Sequence, residues 1–137
     1  MTAAIAEIVP DASAALRVLL DRDPAAIGWF EKIDGRAARA SWPQLVFVEI
    51  ANAFRTGVRA RKTTRALATD AMERALRWPI AAVSLLELAP SALDVALDRG
   101  LTTYDACYVV LAELRGATLV TADRTLAAAT PNAVLLD

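Results

Sequence analysis

Residues 5–22 read IAEIVPDASAALRVLLDR. An apolar run of strand character, Ile5–Val9, stops at Pro10-Asp11 and passes at once into an alanine- and leucine-rich stretch that predicts a helix from Ala12 to about Arg22. Outward from there the same alternation continues. A second helix is expected over about Ala25–Ile33, a short strand at Ala37–Ala40, and a long helix from Pro43, a good first-turn residue, to about Ala60. A helix over Thr64–Trp78 and a strand at Ile80–Ser84 follow. Helices Leu88–Arg99 and Thr103–Arg115 are closed by Gly100 and Gly116. A strand at Thr118–Thr121, a short helix after Asp123 and a last strand near Val134–Leu135 complete the pattern. Short apolar runs alternating with helices predict an α/β fold, a three-layer α/β/α sandwich around a mostly parallel sheet. No linker, repeat or break in composition interrupts it, so residues 1–137 read as a single domain.

Composition removes several chemistries. The chain has no histidine, which excludes Ser-His and Cys-His nucleophilic mechanisms and zinc sites of the usual thiolate and imidazole kind. Cys107 is the only cysteine, so no internal disulfide forms, and its place among Tyr104, Tyr108, Val109 and Leu111 reads as a small core residue. That fits a cytoplasmic protein. No apolar run approaches the ~18 residues of a membrane span. Glu7 interrupts the only candidate h-region, so no signal peptide is expected. A net charge of -1 argues against binding nucleic acid by bulk electrostatics. One segment is locally basic: Arg55, Arg59, Arg61, Lys62 and Arg65 have no acid among them. It reads either as a solvated helix end and loop, or as a contact for RNA phosphates or an acidic partner.

Four carboxylates stand in apolar surroundings: Asp11, Glu49, Asp105 and Asp123. Taken singly, three have an ordinary explanation. Asp11 and Asp123 each precede a predicted helix, where a cap accepting backbone N–H bonds is worth about 1 kcal/mol. Asp105 lies three residues after Thr102, as in a capping box. Glu49 breaks that pattern, because it lies mid-helix between Val46, Phe47, Val48, Ile50 and Ala51, with Asn52 on its face. Burying an unpaired carboxylate costs several kcal/mol, so four together call for a cation, and the chain has no histidine and only two lysines to serve as one. A divalent metal is the natural candidate. Mg2+ and Mn2+ take hard oxygen ligands, keep several waters, acidify one of them and neutralise a phosphoryl transition state. Asp11 and Asp123 also follow predicted strands, at the end of a parallel sheet where ligands bind. Ser13 and Thr121 are placed to position a carboxylate, a water or a phosphate oxygen, or else make local backbone bonds.

Four segments in order resemble the PIN-domain ribonucleases, in particular the VapC toxins of bacterial type II toxin–antitoxin pairs. They are Ile8-Val9-Pro10-Asp11-Ala12-Ser13, then Pro43 to Phe54 with Glu49-Ile50-Ala51-Asn52-Ala53. Leu101-Thr102-Thr103-Tyr104-Asp105-Ala106 and Leu119-Val120-Thr121-Ala122-Asp123 complete the set. The resemblance implies a PIN-like fold with the four acids converging at one end of the sheet. It implies Mg2+- or Mn2+-dependent endonucleolytic cleavage of RNA, inhibition by a cognate VapB-like antitoxin, and homodimers. Carried onto this chain, Asp11, Glu49, Asp105 and Asp123 are all metal-binding and catalytic acids, Asp11 and Asp105 foremost as direct ligands and Glu49 and Asp123 acting partly through water. Ser13, Asn52 and Thr121 fall on supporting positions. Pro10 departs from the branched apolar residue common there and leaves the acids untouched.

Two other phosphate-handling classes fail on single residues. Haloacid-dehalogenase-type phosphatases need a second aspartate where Ser13 stands, and receiver domains need a late lysine, whereas Lys32 and Lys62 are the only lysines. A non-catalytic PIN-like module that binds RNA or protein is the remaining alternative. The intact acids argue against it, because a binding surface gains nothing from negative charge facing phosphate.

Overall fold

The structure is a computed structural model that describes residues 5–137. In chain order the elements are β1 (Ala6–Pro10), α1 (Ala12–Leu19), α2 (Pro24–Asp34), β2 (Ala38–Pro43), α3 (Val46–Arg59) and α4 (Arg65–Arg77). There follow β3 (Ile80–Val83), α5 (Leu85–Arg99), α6 (Thr103–Arg115), β4 (Thr118–Thr121), α7 (Arg124–Ala128) and β5 (Ala133–Leu135). The sheet order is β3-β2-β1-β4-β5, and every pairing is parallel. Helices α1 to α4 pack with one another, and α5 with α6 forms a separate pair, while α1, α2 and α6 all contact the sheet. This is the expected α/β/α sandwich.

Parallel strands buried on both faces need apolar residues at successive positions, and Ile8-Val9 and Leu119-Val120 supply them. The order also fixes where a ligand can sit. From β1 the chain first builds outward through β2 to β3, then returns to place β4 on the other side of β1. The crevice beyond the carboxyl ends of β1 and β4 is therefore the switch point, the usual ligand site of an open parallel sheet. Asp11 and Asp123 stand there.

The larger departures from the expected element boundaries each have a local reason. Strand β2 runs on to Pro43 instead of stopping at Ala40. A residue before proline is pushed toward β geometry, so Trp42 extends the strand, and Pro43 closes it opposite Val83. The long helix thus starts at Val46 rather than Pro43. Helix α1 ends at Leu19, not Arg22, because Arg22 takes a left-handed φ of 50° and Asp23 turns back to donate its N–H to the Arg17 carbonyl. Ser84 leaves the strand to cap α5, its Oγ accepting from the Leu86 N–H at 3.2 Å. That helix consequently starts three residues before the expected Leu88 and carries Pro90 inside it. Gly100 and Gly116 close α5 and α6 in left-handed conformations, φ 67° and 58°, as expected.

Candidate active site

Asp11 is the most constrained of the four acids. It leaves β1 with its N–H on the Val120 carbonyl at 2.9 Å, and the preceding Pro10 carbonyl accepts the buried Trp42 indole N–H at 2.7 Å. Its Oδ1 caps α1 by accepting from the Ala14 N–H at 2.9 Å and takes a second bond from Ser13 Oγ at 2.6 Å. Thr121, fully buried at the end of β4, donates its hydroxyl to Oδ2 at 2.5 Å. The same hydroxyl accepts the Asp123 N–H at 2.9 Å, and Ser13 Oγ accepts the Ala122 N–H at 2.9 Å. Two strand ends are thereby laced together. Burial pushes the Asp11 carboxyl above the ordinary aspartate range, against the pull of these donors, and the Asp123 charge adds to the rise.

Asp123 caps the short α7, its Oδ1 accepting from the N–H groups of Thr125 and Leu126 at 2.8 and 3.2 Å, and stays exposed. Capping and clustering are not alternatives here: a helix start at a strand end supplies the cap and aims the carboxylate into the crevice at once.

The other two acids come from helices. Glu49 was expected mid-helix, but because α3 starts at Val46 it lies in the first turn; it is half-buried, and its Oε1 accepts the hydroxyl of Tyr108 on α6 at 2.5 Å. Burial raises its carboxyl, the Tyr108 bond opposes the rise, and the charges of Asp105 and then Asp11 add to it. Asp105, in the first turn of α6, has its backbone N–H on the Thr102 hydroxyl at 3.1 Å, as the capping reading expects. Its carboxyl is raised by burial and then by Asp123, with Thr102 acting the other way. The charge couplings thus run from Asp11 to Asp123, Asp123 to Asp105, Asp105 to Glu49 and Glu49 back to Asp11. The four acids are near enough for their charges to bear on one another, while the cleft itself is lined by Glu49 and Asp105 only.

None of the ion pairs among the described residues, such as Arg17–Asp23 and Arg99–Glu113, involves these acids. The donor set is therefore oxygen-only, anionic and without a protein counter-charge, which suits a hard divalent cation. No three of the described His, Cys, Asp or Glu side chains stand close enough to ligate one ion directly. Mg2+ commonly takes one or two carboxylates and keeps its waters, so the set fits a hydrated ion.

Glu49, Asn52, Thr102 and Asp105 line a cleft of about 620 Å³ whose rim carries the exposed side chains of Val48 and Tyr104. Ser13 and Thr121 are bonded to Asp11, whereas Asn52 is exposed and makes no side-chain bond among those described. The basic segment is not gathered at the acids. Arg55, Arg59 and Arg65 rim a separate groove of about 450 Å³ between α3 and α4, floored by Phe54, Val58 and Met72. Lys62 lines another cleft beside Leu19 and Asp21, and Arg61 sits in the α3–α4 turn with a left-handed φ of 59°. Cys107 is buried in the core with its thiol raised by burial and then by the Glu49 charge.

Two participants escape a reading of the sequence alone. Trp42 and Tyr108 look like core aromatics, and both are; their polar atoms are what reach the site. Tyr108 lies one helical turn beyond Asp105, so the shared face was the available signal. None of the described helices is long and apolar enough to cross a membrane.

A family model described as PIN domain matches residues 8–130. The chain is 44% identical over 66 residues to Exonuclease VapC9 of Pyrobaculum aerophilum, covering 47% of this chain and 50% of the relative. The match thus spans about half the length of that curated protein. Among solved structures it is similar to PAE2754 from Pyrobaculum aerophilum, with a TM-score of 0.72 and 31% identity over 94% of this chain and 83% of that one. A toxin–antitoxin complex from Klebsiella pneumoniae shares the fold at TM-score 0.61 and 16% identity, over 93% of this chain and 95% of that one. So does VapBC2 from Rickettsia felis, bound to a DNA fragment from its promoter, at TM-score 0.66 and 12% identity, over 95% and 97%.

Proposed function

The chain belongs to the PIN-domain family, and on that premise we propose that it is a Mg2+- or Mn2+-dependent endoribonuclease toxin of the cytoplasm. The observation that carries this reading is the mutual coupling of the charges of Asp11, Glu49, Asp105 and Asp123, drawn from four separate segments, with no ion pair to any of them among the described residues. A binding module would have to meet phosphate with that uncompensated charge.

Asp11 and Asp105 would hold the metal directly in this reading, and Glu49 and Asp123 would hold it partly through water. A bound Mg2+ or Mn2+ supplies an acidified water and neutralises charge gathering on the scissile phosphate. The chain's own groups do the rest. Ser13 and Thr121 donate to the Asp11 carboxylate, favouring its ionised form against burial and aiming it, and the cleft beside Glu49 and Asp105 admits an RNA strand.

Two surfaces support the proposed assembly. The groove rimmed by Arg55, Arg59 and Arg65 has an apolar floor, which suits an acidic, amphipathic helix of a VapB-like antitoxin better than RNA, since these arginines stand apart from the acids. Leu86, Leu93 and Leu97 repeat at helical spacing on α5 and are 87%, 53% and 73% exposed. Such a stripe is characteristic of a covered face and supports the homodimer.

The test is calorimetric Mn2+ titration of metal-free protein, beside Asp11→Asn and Asp105→Asn, joined to Mn2+-dependent cleavage of linear and covalently closed circular RNA. Wild type is expected to bind Mn2+ and open the circle; both folded variants should do neither. Degradation of linear RNA alone would replace endonuclease by exonuclease, the activity named for the Pyrobaculum relative. Folded wild type that takes up no Mn2+, with or without RNA, would instead favour the non-catalytic binding module.

A further inference from the structure

The four acids differ in how their chain can hold them. Asp11 and Asp123 cap helices, where first-turn N–H groups have no intrahelical partner and are free to fix a carboxylate. Glu49 is held differently. It lies in the first turn of α3, yet its carboxylate accepts no backbone N–H among the described hydrogen bonds, and a glutamate is a long side chain with several rotatable bonds. Left to itself in a cluster of like charges, it would swing away from Asp11 and Asp105 toward solvent.

We propose that Tyr108 is a positioning residue, its hydroxyl taking the place of the missing backbone donors and holding Glu49 in the acid cluster; this rests on the nuclease reading above. The tyrosine is 1% exposed, so its ring is fixed by packing, and its hydroxyl bonds Glu49 Oε1 across 59 residues of sequence. A phenylalanine would fill the same core space. What the oxygen adds is a bond to one carboxylate oxygen, while Oε2 makes no hydrogen bond within the described structure. One oxygen is anchored and the other remains for a water or a cation. Tyr108 therefore ties α6, which carries Asp105, to the helix that carries Glu49. Burial and the neighbouring Glu49 charge hold the phenol far above its usual pKa, so it stays a donor.

The experiment is a double-mutant cycle on the full chain with Tyr108→Phe, Glu49→Gln and the pair, each first shown to melt cooperatively. Mn2+ affinity is read by calorimetry and cleavage of a single-stranded RNA by kcat and KM. Tyr108→Phe is expected to weaken Mn2+ binding about tenfold and lower kcat about tenfold with KM little changed. In the Glu49→Gln background the same change should have no further effect, a non-additivity that a purely structural tyrosine would not produce. Tyr108→Phe that alters the melting temperature while leaving Mn2+ affinity and kcat at wild-type values overturns the proposal, as do effects that add. Wild type that neither binds Mn2+ nor cleaves RNA overturns the nuclease reading and this one together.

Discussion

The acid cluster has two halves built on different principles. At the strand ends, Asp11 is held by Ser13, Thr121 and the Ala14 amide, and Asp123 by two amides of α7. On the helices, Glu49 has one donor, Tyr108, and the Asp105 carboxylate is offered only the Thr102 hydroxyl nearby. The first half is organised before any ligand arrives. The second is held together mainly by the fold's insistence that α3 and α6 pass this crevice. Where a charge is caged by donors its removal disturbs structure; where it is merely crowded its removal relieves the structure. A half that is caged and a half that is crowded should therefore answer the same substitution differently.

The largest effect is on catalysis and should not distinguish the halves. Asp11→Asn and Asp105→Asn are each expected to lower Mn2+-dependent RNA cleavage at least about a thousandfold, roughly 4 kcal/mol of lost charge stabilisation. Stability of the metal-free proteins should then separate them. Asp105→Asn removes a repelled charge that no strong donor holds, and should raise the melting temperature by about 3 °C, under roughly 1 kcal/mol once solvent screening is allowed for. Asp11→Asn replaces an acceptor that two hydroxyls and an amide address, and should gain nothing. Equal stabilisation of both variants in scanning calorimetry would break the contrast.

Next in size is the loss of a donor. Thr121→Val removes the hydroxyl that bonds Asp11 and receives the Asp123 N–H in a fully buried position, and should cost about 2–3 kcal/mol in urea denaturation. Thr102→Val, which removes an exposed cap beside Asp105, should cost only about 1 kcal/mol. Reversal of that order would show the helical half to be the better organised one.

A smaller effect is the pH dependence of the metal-free chain. Asp11, Glu49 and Asp105 all have folded pKa values above their unfolded ones. The folded state then binds more protons than the unfolded state, so stability falls as pH rises from about 4, the ordinary carboxylate range, through the raised values. The melting temperature should decline across that window and flatten in a Glu49→Gln, Asp105→Asn double variant. Saturating Mn2+ should reverse the trend, since it binds the ionised form; at a hundred times Kd it adds about 2.7 kcal/mol. A metal-free melting temperature that rises steadily from pH 4 to 8 would mean that the donors outweigh the crowding.

The same division governs what the sequence alone reveals. The strand-end half is local in sequence: Asp11 and Ser13 share a turn, Thr121 and Asp123 another, and the preceding apolar runs place both at strand ends. Strand-helix alternation gave the parallel sandwich for the same reason, because each βα step is a short-range pattern. The helical half depends on long-range register. Glu49 was conspicuous as a charge expected mid-helix among apolar neighbours, although the later start of α3 puts it in the first turn, and its partner Tyr108 is indistinguishable in sequence from the core residues around it. The β2 boundary was missed because Pro43 serves a strand end as well as a helix start, and burial of Trp42 against β1 decides between them. The basic stretch from Arg55 to Arg65 looked like one patch because it is contiguous, but a helix, a tight turn and another helix scatter its side chains over separate surfaces.

Asn52 gives the finest test of the contrast. It lies three residues beyond Glu49 on α3, lines the same cleft, and its amide makes no bond to either neighbouring acid. An unbonded, exposed amide beside a crowded carboxylate neither cages it nor relieves its charge. Asn52→Ala is therefore expected to lower kcat/KM for RNA by less than about threefold, under roughly 0.7 kcal/mol, and to leave the melting temperature within about 1 °C. A loss of tenfold or more, without a change in melting temperature, would mean that Asn52 engages only once RNA and metal are present. The helical half would then be assembled by its substrate, while the strand-end half is assembled by the fold.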